Sequence, residues 1–141
     1  MNLRNVALMV LLSGAAAFSA EADRAKLTGA WESQGDNRAT WVLEAKGDTW
    51  HISYSEGAQK PTEFECATDG RECNVKELGH GAKISLWFNG PMLVELETKG
   101  SEVVKRRFAV APQGDQMDVE VIPIVSTAKA ETLHFRRATS K

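Results

Sequence analysis

Cysteine is nearly absent from this chain: two in 141 residues, Cys66 and Cys73. The signatures of familiar catalytic centres are missing as well. No Gly-x-Ser-x-Gly elbow exposes a serine nucleophile, and no glycine-rich loop opens a helix to cradle a phosphate. The three histidines, His51, His80 and His134, stand far apart, and no pair has the i, i+2 or i, i+4 spacing of a metal chelate. The cysteines are too widely spaced for a Cys-x-x-Cys redox motif, so a structural disulfide is expected and soft metal sites lose their ligands. Neither sign of charge accumulates: the net charge is −2, and Lys105-Arg106-Arg107 is the one basic cluster. That balance argues against nucleic acid or a membrane surface as partner. Glycosylation sequons are absent, and so is any apolar run long enough to span a bilayer. Catalysis, metal and cofactor are therefore not expected.

What is present begins with an export address. Arg4 supplies a short positive region, Val6 to Leu12 is uninterruptedly apolar, and small residues follow from Ser13 to Ala17. Residues 1–22 read as a signal peptide. Cleavage after Ala17 or Ala22 satisfies the small-x-small rule, whereas cleavage after Ala20 sets Phe18 at a position that prefers small residues. Residues 23–141, about 120 of them, are enough for one domain with its own core. The expected location is periplasmic or secreted, an oxidising setting in which Cys66 and Cys73 pair. Asp69-Gly70 lies between the cysteines, and this dipeptide favours a two-residue hairpin loop because both residues tolerate positive φ. A hairpin there puts Cys66 opposite Cys73 as a staple across adjacent strands.

The rest alternates. Apolar and polar residues exchange places over Leu27–Ser33, Ala39–Ala45, Thr49–Ser55, Thr62–Ala67, Arg71–Lys76, Ala82–Phe88, Met92–Thr98, Glu102–Val110, Gln116–Pro123 and Glu131–Arg137. Turn residues separate these runs, among them Lys46-Gly47-Asp48, Asn89-Gly90-Pro91 and Lys99-Gly100-Ser101. Only Glu21–Lys26 reads as a short helical turn. Parity places Trp41, Leu43, Trp50, Ile52, Phe64, Leu86, Phe88, Met92, Val94, Leu96, Phe108, Val119 and Leu133 on an apolar face. It places Glu95, Glu97 and His134 on the wet one, with Trp87 outside beside the Asn89-Gly90-Pro91 turn. The fold expected is all-β: an antiparallel up-and-down barrel of about eight to ten strands, closed because a long meander must bury its edges. A sandwich is the alternative.

Gly29-Ala30-Trp31 in the first strand and Leu133-His134-Phe135-Arg136-Arg137 in the last resemble the calycin superfamily, the lipocalins and fatty-acid-binding proteins. In those families a Gly-x-Trp stacks on an arginine from the final strand at the closed end of the barrel. The resemblance implies a closing pair of Trp31 with Arg137, which shares the parity of Leu133 and Phe135. The turns Asp69-Gly70-Arg71 and Pro112-Gln113-Gly114-Asp115 also resemble those of small exported bacterial lipocalin-like domains of unassigned activity. The chain departs from true lipocalins in having no long first loop and no clear C-terminal helix.

Arg106 has the parity of Val104 and Phe108, which directs a guanidinium into the apolar layer, where an unpaired charge is costly. Inward arginines hold the ligand carboxylate in fatty-acid-binding proteins, so the resemblance implies that Arg106 with Arg137 binds an anionic amphiphile. Two other readings stand open: Arg106 pairs with an internal acid, or a bulge turns it outward. The aromatic lining for a ligand would be Trp41, Trp50, Phe64, Phe88 and Phe108. The expected function is non-catalytic binding of a small hydrophobic or anionic ligand inside the barrel. The rival is a protein-binding module, such as a protease or lysozyme inhibitor, acting through exposed loops or through Trp87.

Overall fold

The computed structural model describes residues 21–35, 38–76 and 81–139; most of the signal segment and His80 lie outside the described residues. One helical turn over 21–25 precedes the strands. These are β1 (Gly29–Ser33), β2 (Ala39–Lys46), β3 (Thr49–Glu56), β4 (Thr62–Ala67), β5 (Asp69–Asn74), β6 (Lys83–Asn89), β7 (Met92–Lys99), β8 (Glu102–Val110), β9 (Gln116–Pro123) and β10 (Glu131–Arg137). Short polar links with correct turn residues favour pairing of each strand with its neighbour, and the result is an antiparallel meander. The first strand also pairs with the last, Trp31 opposite Arg137. The hydrogen-bonded order is β4-β3-β2-β1-β10-β9-β8-β7-β6-β5, so the sheet rolls into a nearly closed barrel whose two edges are β4 and β5.

That order corrects the reading of the cysteine segment. The Asp69-Gly70 hairpin does not form. Both residues belong to β5, where Asp69 pairs with Trp87 and a bulge separates Asp69 from Glu72. Gly70, at φ 81°, supplies the left-handed conformation there, and the Arg71 amide donates to Asp69 Oδ1 at 3.0 Å. Asp-Gly suits such a bulge as well as it suits a two-residue turn, and pairing with β6 decided between them. Cys66 and Cys73 are still joined, with Cα atoms 5.9 Å apart. Their bond ties together the two edges of the barrel rather than two strands of a ladder.

The face of β7 is the second correction. Met92, Val94 and Leu96 point outward, while Leu93, Glu95 and Glu97 point into the barrel. Turn length is the cause. Gly90-Pro91 is a two-residue link that pairs Asn89 with Met92 and therefore Phe88 with Leu93. Phe88 is inward, so every odd residue of β7 is inward too. Val94 is nonetheless buried, because on the outer wall it stands directly opposite Trp87.

Inside, Leu27, Trp31, Leu43, Ile52, Leu86, Leu93, Phe108, Met117 and Val119 are 0 % exposed. These side chains form the packed core of the barrel.

Candidate functional site

The ends of the barrel differ. At one end gather the helical turn, the β2–β3 and β6–β7 turns and the β8–β9 link; at the other lie the connections after β1, β3, β7 and β9. The first end is plugged. Each of the three guanidinium nitrogens of Arg137 donates to a backbone carbonyl: Nε to Gly114 at 3.0 Å, Nη1 to Thr28 at 2.7 Å and Nη2 to Lys26 at 2.8 Å. Its Cζ lies 4.2 Å from the centroid of Trp31, whose indole N–H donates to the Leu27 carbonyl at 2.9 Å. Gly29 makes this possible: with φ 134°, a Cβ there would sit 2.5 Å from Arg137 Nη1. Arg137 is thus committed to the closed end and does not serve as a ligand anchor.

Trp50 and Phe88 belong to the same end. Their rings are 5.7 Å apart, and Arg24 of the helical turn covers Phe88 at 4.4 Å while Nε donates to the Gly90 carbonyl at 3.0 Å. Of the expected aromatic lining, these two pack against each other, with Phe88 beneath the Arg24 guanidinium. Phe64 is half-buried on β4 and packs against the core.

Arg106 does point inward, and it meets acids. Its Nη1 donates to Glu95 Oε1 at 2.7 Å and to Glu97 Oε2 at 2.6 Å. Glu95 stands directly opposite Arg106 on β7; Glu97 is one inward position nearer the open end. The side chains of Arg106 and Glu97 remain 21 % and 18 % exposed, but that of Glu95 only 1 %. Glu95 Oε2 is buried with no hydrogen-bond partner. Burial pushes the Glu95 carboxyl above the usual carboxylate range, and Arg106 beside it offsets that only in part. For Arg106 burial works in the opposite sense, but the two carboxylates outweigh it and hold the guanidinium above its ordinary value. The cluster carries one positive and two potential negative charges, so Arg106 is not a free anchor for an anion.

Aromatic rings wrap this cluster. Trp41 is 5.0 Å from Phe108 and 4.4 Å from Tyr54, and Arg106 Cζ is 5.9 Å from the Trp41 centroid. The Tyr54 hydroxyl donates to the Glu56 carboxylate at the rim. Burial, then that hydrogen bond, pushes the Tyr54 hydroxyl above its usual range. The acids Glu95 and Glu97 were invisible to hydrophobic alternation, which put them on the wet face. Two signals pointed to them: the two-residue Gly90-Pro91 link, and the need of an inward Arg106 for a partner on an adjacent strand.

Around Tyr54 the barrel opens. A cleft of about 380 Å³ is lined by Ser33, Ala39, Tyr54, Glu56, Leu133 and Phe135. A second, of about 420 Å³, lies along Val103, Val104, Pro123 and Val125. Among the described residues the exposed large apolar side chains are Ile124 at 53 %, Val125 at 64 % and Leu133 at 38 %, and all flank the β9–β10 connection at this end. Leu133 shares the inward face with Val119, its β9 partner, which is fully buried. Trp87 takes no part; it is half-buried on the outer wall. His134 is on the outer face, 2.7 Å from Asp118, and borders the cleft at Leu133.

No family model matches the sequence, and no curated protein matches it. Solved structures do match by shape. The REP1-NXSQ fatty acid transporter has a TM-score of 0.67 at 17% identity, covering 83% of this chain and 99% of its own. The Schistosoma mansoni fatty acid binding protein in complex with arachidonic acid gives 0.69 at 12% identity, over 83% and 99%. The wild-type fluorescent protein UnaG gives 0.64 at 15% identity, over 81% and 98%. At such identities the likeness is one of fold, and the chain has the calycin-like β-barrel of the fatty-acid-binding proteins.

Proposed function

We propose that this protein is an exported, non-catalytic carrier or sensor that takes up a small hydrophobic or amphiphilic molecule at the open end of its barrel. The observation that carries this reading is the apolar lip: the exposed, inward-facing Leu133 lines a cleft of about 380 Å³, and the exposed Val125, next to exposed Ile124 in the chain, lines one of about 420 Å³. Exposed apolar side chains grouped around a concavity favour a ligand over bulk water. Two of the similar structures are a fatty acid transporter and a fatty acid binding protein holding arachidonic acid, which supports an apolar cargo. A third cleft, of about 360 Å³ near Met92 and Val110, is bordered by the Asp23–Lys26 ion pair and by no exposed large apolar side chain. The disulfide and the Arg4-to-Ala17 pattern support function in an oxidising, exported setting.

Nile red, a neutral apolar dye, tests the reading. Titrated into the full chain with its disulfide intact, it should show saturable one-to-one fluorescence enhancement. Leu133→Lys, which sets a charge inside the lip, should abolish the enhancement while the melting temperature is retained. Absence of saturable uptake by the unaltered protein overturns the proposal.

A further inference from the structure

The lumenal ion cluster carries information about the head group of the cargo. This inference rests on the binding reading above and extends it to the chemistry of the ligand. Two kinds of unused hydrogen-bonding capacity meet at one place. Both contacts of Arg106 come from Nη1, and no bond of Nε or Nη2 occurs among the described residues. Beside it, Glu95 Oε2 is buried and orphaned. A buried carboxylate oxygen without a donor is costly in any folded protein, and here it faces the lumen one position below the partly exposed Glu97.

We infer that the site takes an amphiphile with an uncharged head that both accepts and donates hydrogen bonds, of the primary carboxamide class, and discriminates against free carboxylates. A carbonyl oxygen accepts from Arg106 Nε or Nη2. The adjacent N–H groups donate to Glu97 and, after a small side-chain adjustment, to Glu95 Oε2. A carboxylate offers acceptors only and adds a negative charge beside two acids that already share one guanidinium. An ammonium offers donors only, so it leaves the spare donors of Arg106 without an acceptor and sets a second cation beside the guanidinium. The dipolar neutral head alone serves both the unused donors and the orphaned acceptor. Trp41, 5.9 Å from the guanidinium, and Phe108 beneath it close the floor, so the head stops at this level and the tail extends toward Leu133 and the lip.

The test is competition against bound Nile red with three molecules of equal tail length: dodecanamide, dodecanoate and dodecylamine, at pH 7. Dodecanamide is expected to displace the dye with an apparent Kd at least about tenfold below either charged analogue, the ratio set by one good hydrogen bond to a charged group. Glu95→Gln and Glu97→Gln should each narrow the gap between amide and carboxylate, since each removes an acidic acceptor. Dodecanoate or dodecylamine binding as tightly as the amide overturns the inference and leaves the binding reading intact. Failure of Nile red itself to bind overturns both. The comparison among the three heads uses the unaltered protein, so it decides the matter even if a variant does not fold.

Discussion

Removing the charge of Arg106 should be among the most damaging single substitutions in the barrel, and removing the whole cluster should not. In Arg106→Met the stem is kept and the guanidinium lost. Glu95, 1 % exposed, and Glu97, 18 % exposed, are then left in the lumen without their shared cation. Two charge-assisted hydrogen bonds of 2.7 and 2.6 Å disappear. At about 1.5–3 kcal/mol each this is about 3–6 kcal/mol, in line with the roughly 3–5 kcal/mol lost when one partner of a buried pair is removed. A domain with about 5–15 kcal/mol of total stability would lose a large part of it. Urea unfolding at pH 7, followed by tryptophan fluorescence, should show a midpoint lower by about 2 M for an m-value near 2 kcal/mol/M. The triple variant Arg106→Met, Glu95→Leu, Glu97→Leu should recover most of the loss, because it removes the desolvated charges along with their attraction. A single variant costing less than about 1 kcal/mol, within the range of a solvated surface pair, would refute the buried-cluster account. So would a triple variant as unstable as the single one.

Glu95→Gln gives a pH test. Glu95 is held above its ordinary carboxylate value by burial, so it favours folding at acid pH, where it is protonated in both states. That contribution is lost as pH rises through its folded value. The stability of the wild type relative to the variant, from urea curves between pH 4 and 8, should therefore fall with rising pH; a rise would contradict the assignment. At the closed end, Gly29→Ala drives a Cβ against Arg137 Nη1 at 2.5 Å and forces an alanine to positive φ. It should lower the melting temperature by several degrees, about 1–3 kcal/mol for a strained backbone position, whereas Gly47→Ala, with open space around its Cβ position, should lower it less. Replacing both Cys66 and Cys73 by alanine opens the tie between the barrel edges, a link of seven residues' separation. The loss should be about 2.5 kcal/mol by chain entropy, and amide exchange should quicken first in β4 and β5. Uniform exchange across all strands would show that the bond does not act at the seam.

Much of the fold was legible in one dimension. Period-two alternation and turn chemistry located the strands, β8, β9 and β10 with the same bounds the structure has, because a sheet with one dry face imposes its period on the sequence. Gly29, Trp31 and Arg137 pointed to the closed end through their resemblance to the calycin pattern, and the structure brings them together there. What alternation could not convey was anything that depends on which strands become neighbours around the barrel. Asp69-Gly70 has the same local chemistry for a hairpin and for a bulge, and pairing of β5 with β6 chose the bulge. Glu95 and Glu97 look like surface acids until the Gly90-Pro91 link fixes the face of β7 and brings them to Arg106. Residue order was enough to specify a meander of short strands with one disulfide, since each of these follows from local periodicity or from residue type, and the resemblance to the calycins implied the stacked closing pair. That the disulfide closes a seam, and that the lumen holds an acid-rich ion cluster, became definite only in three dimensions, because both arise from residues that meet after the sheet has rolled up.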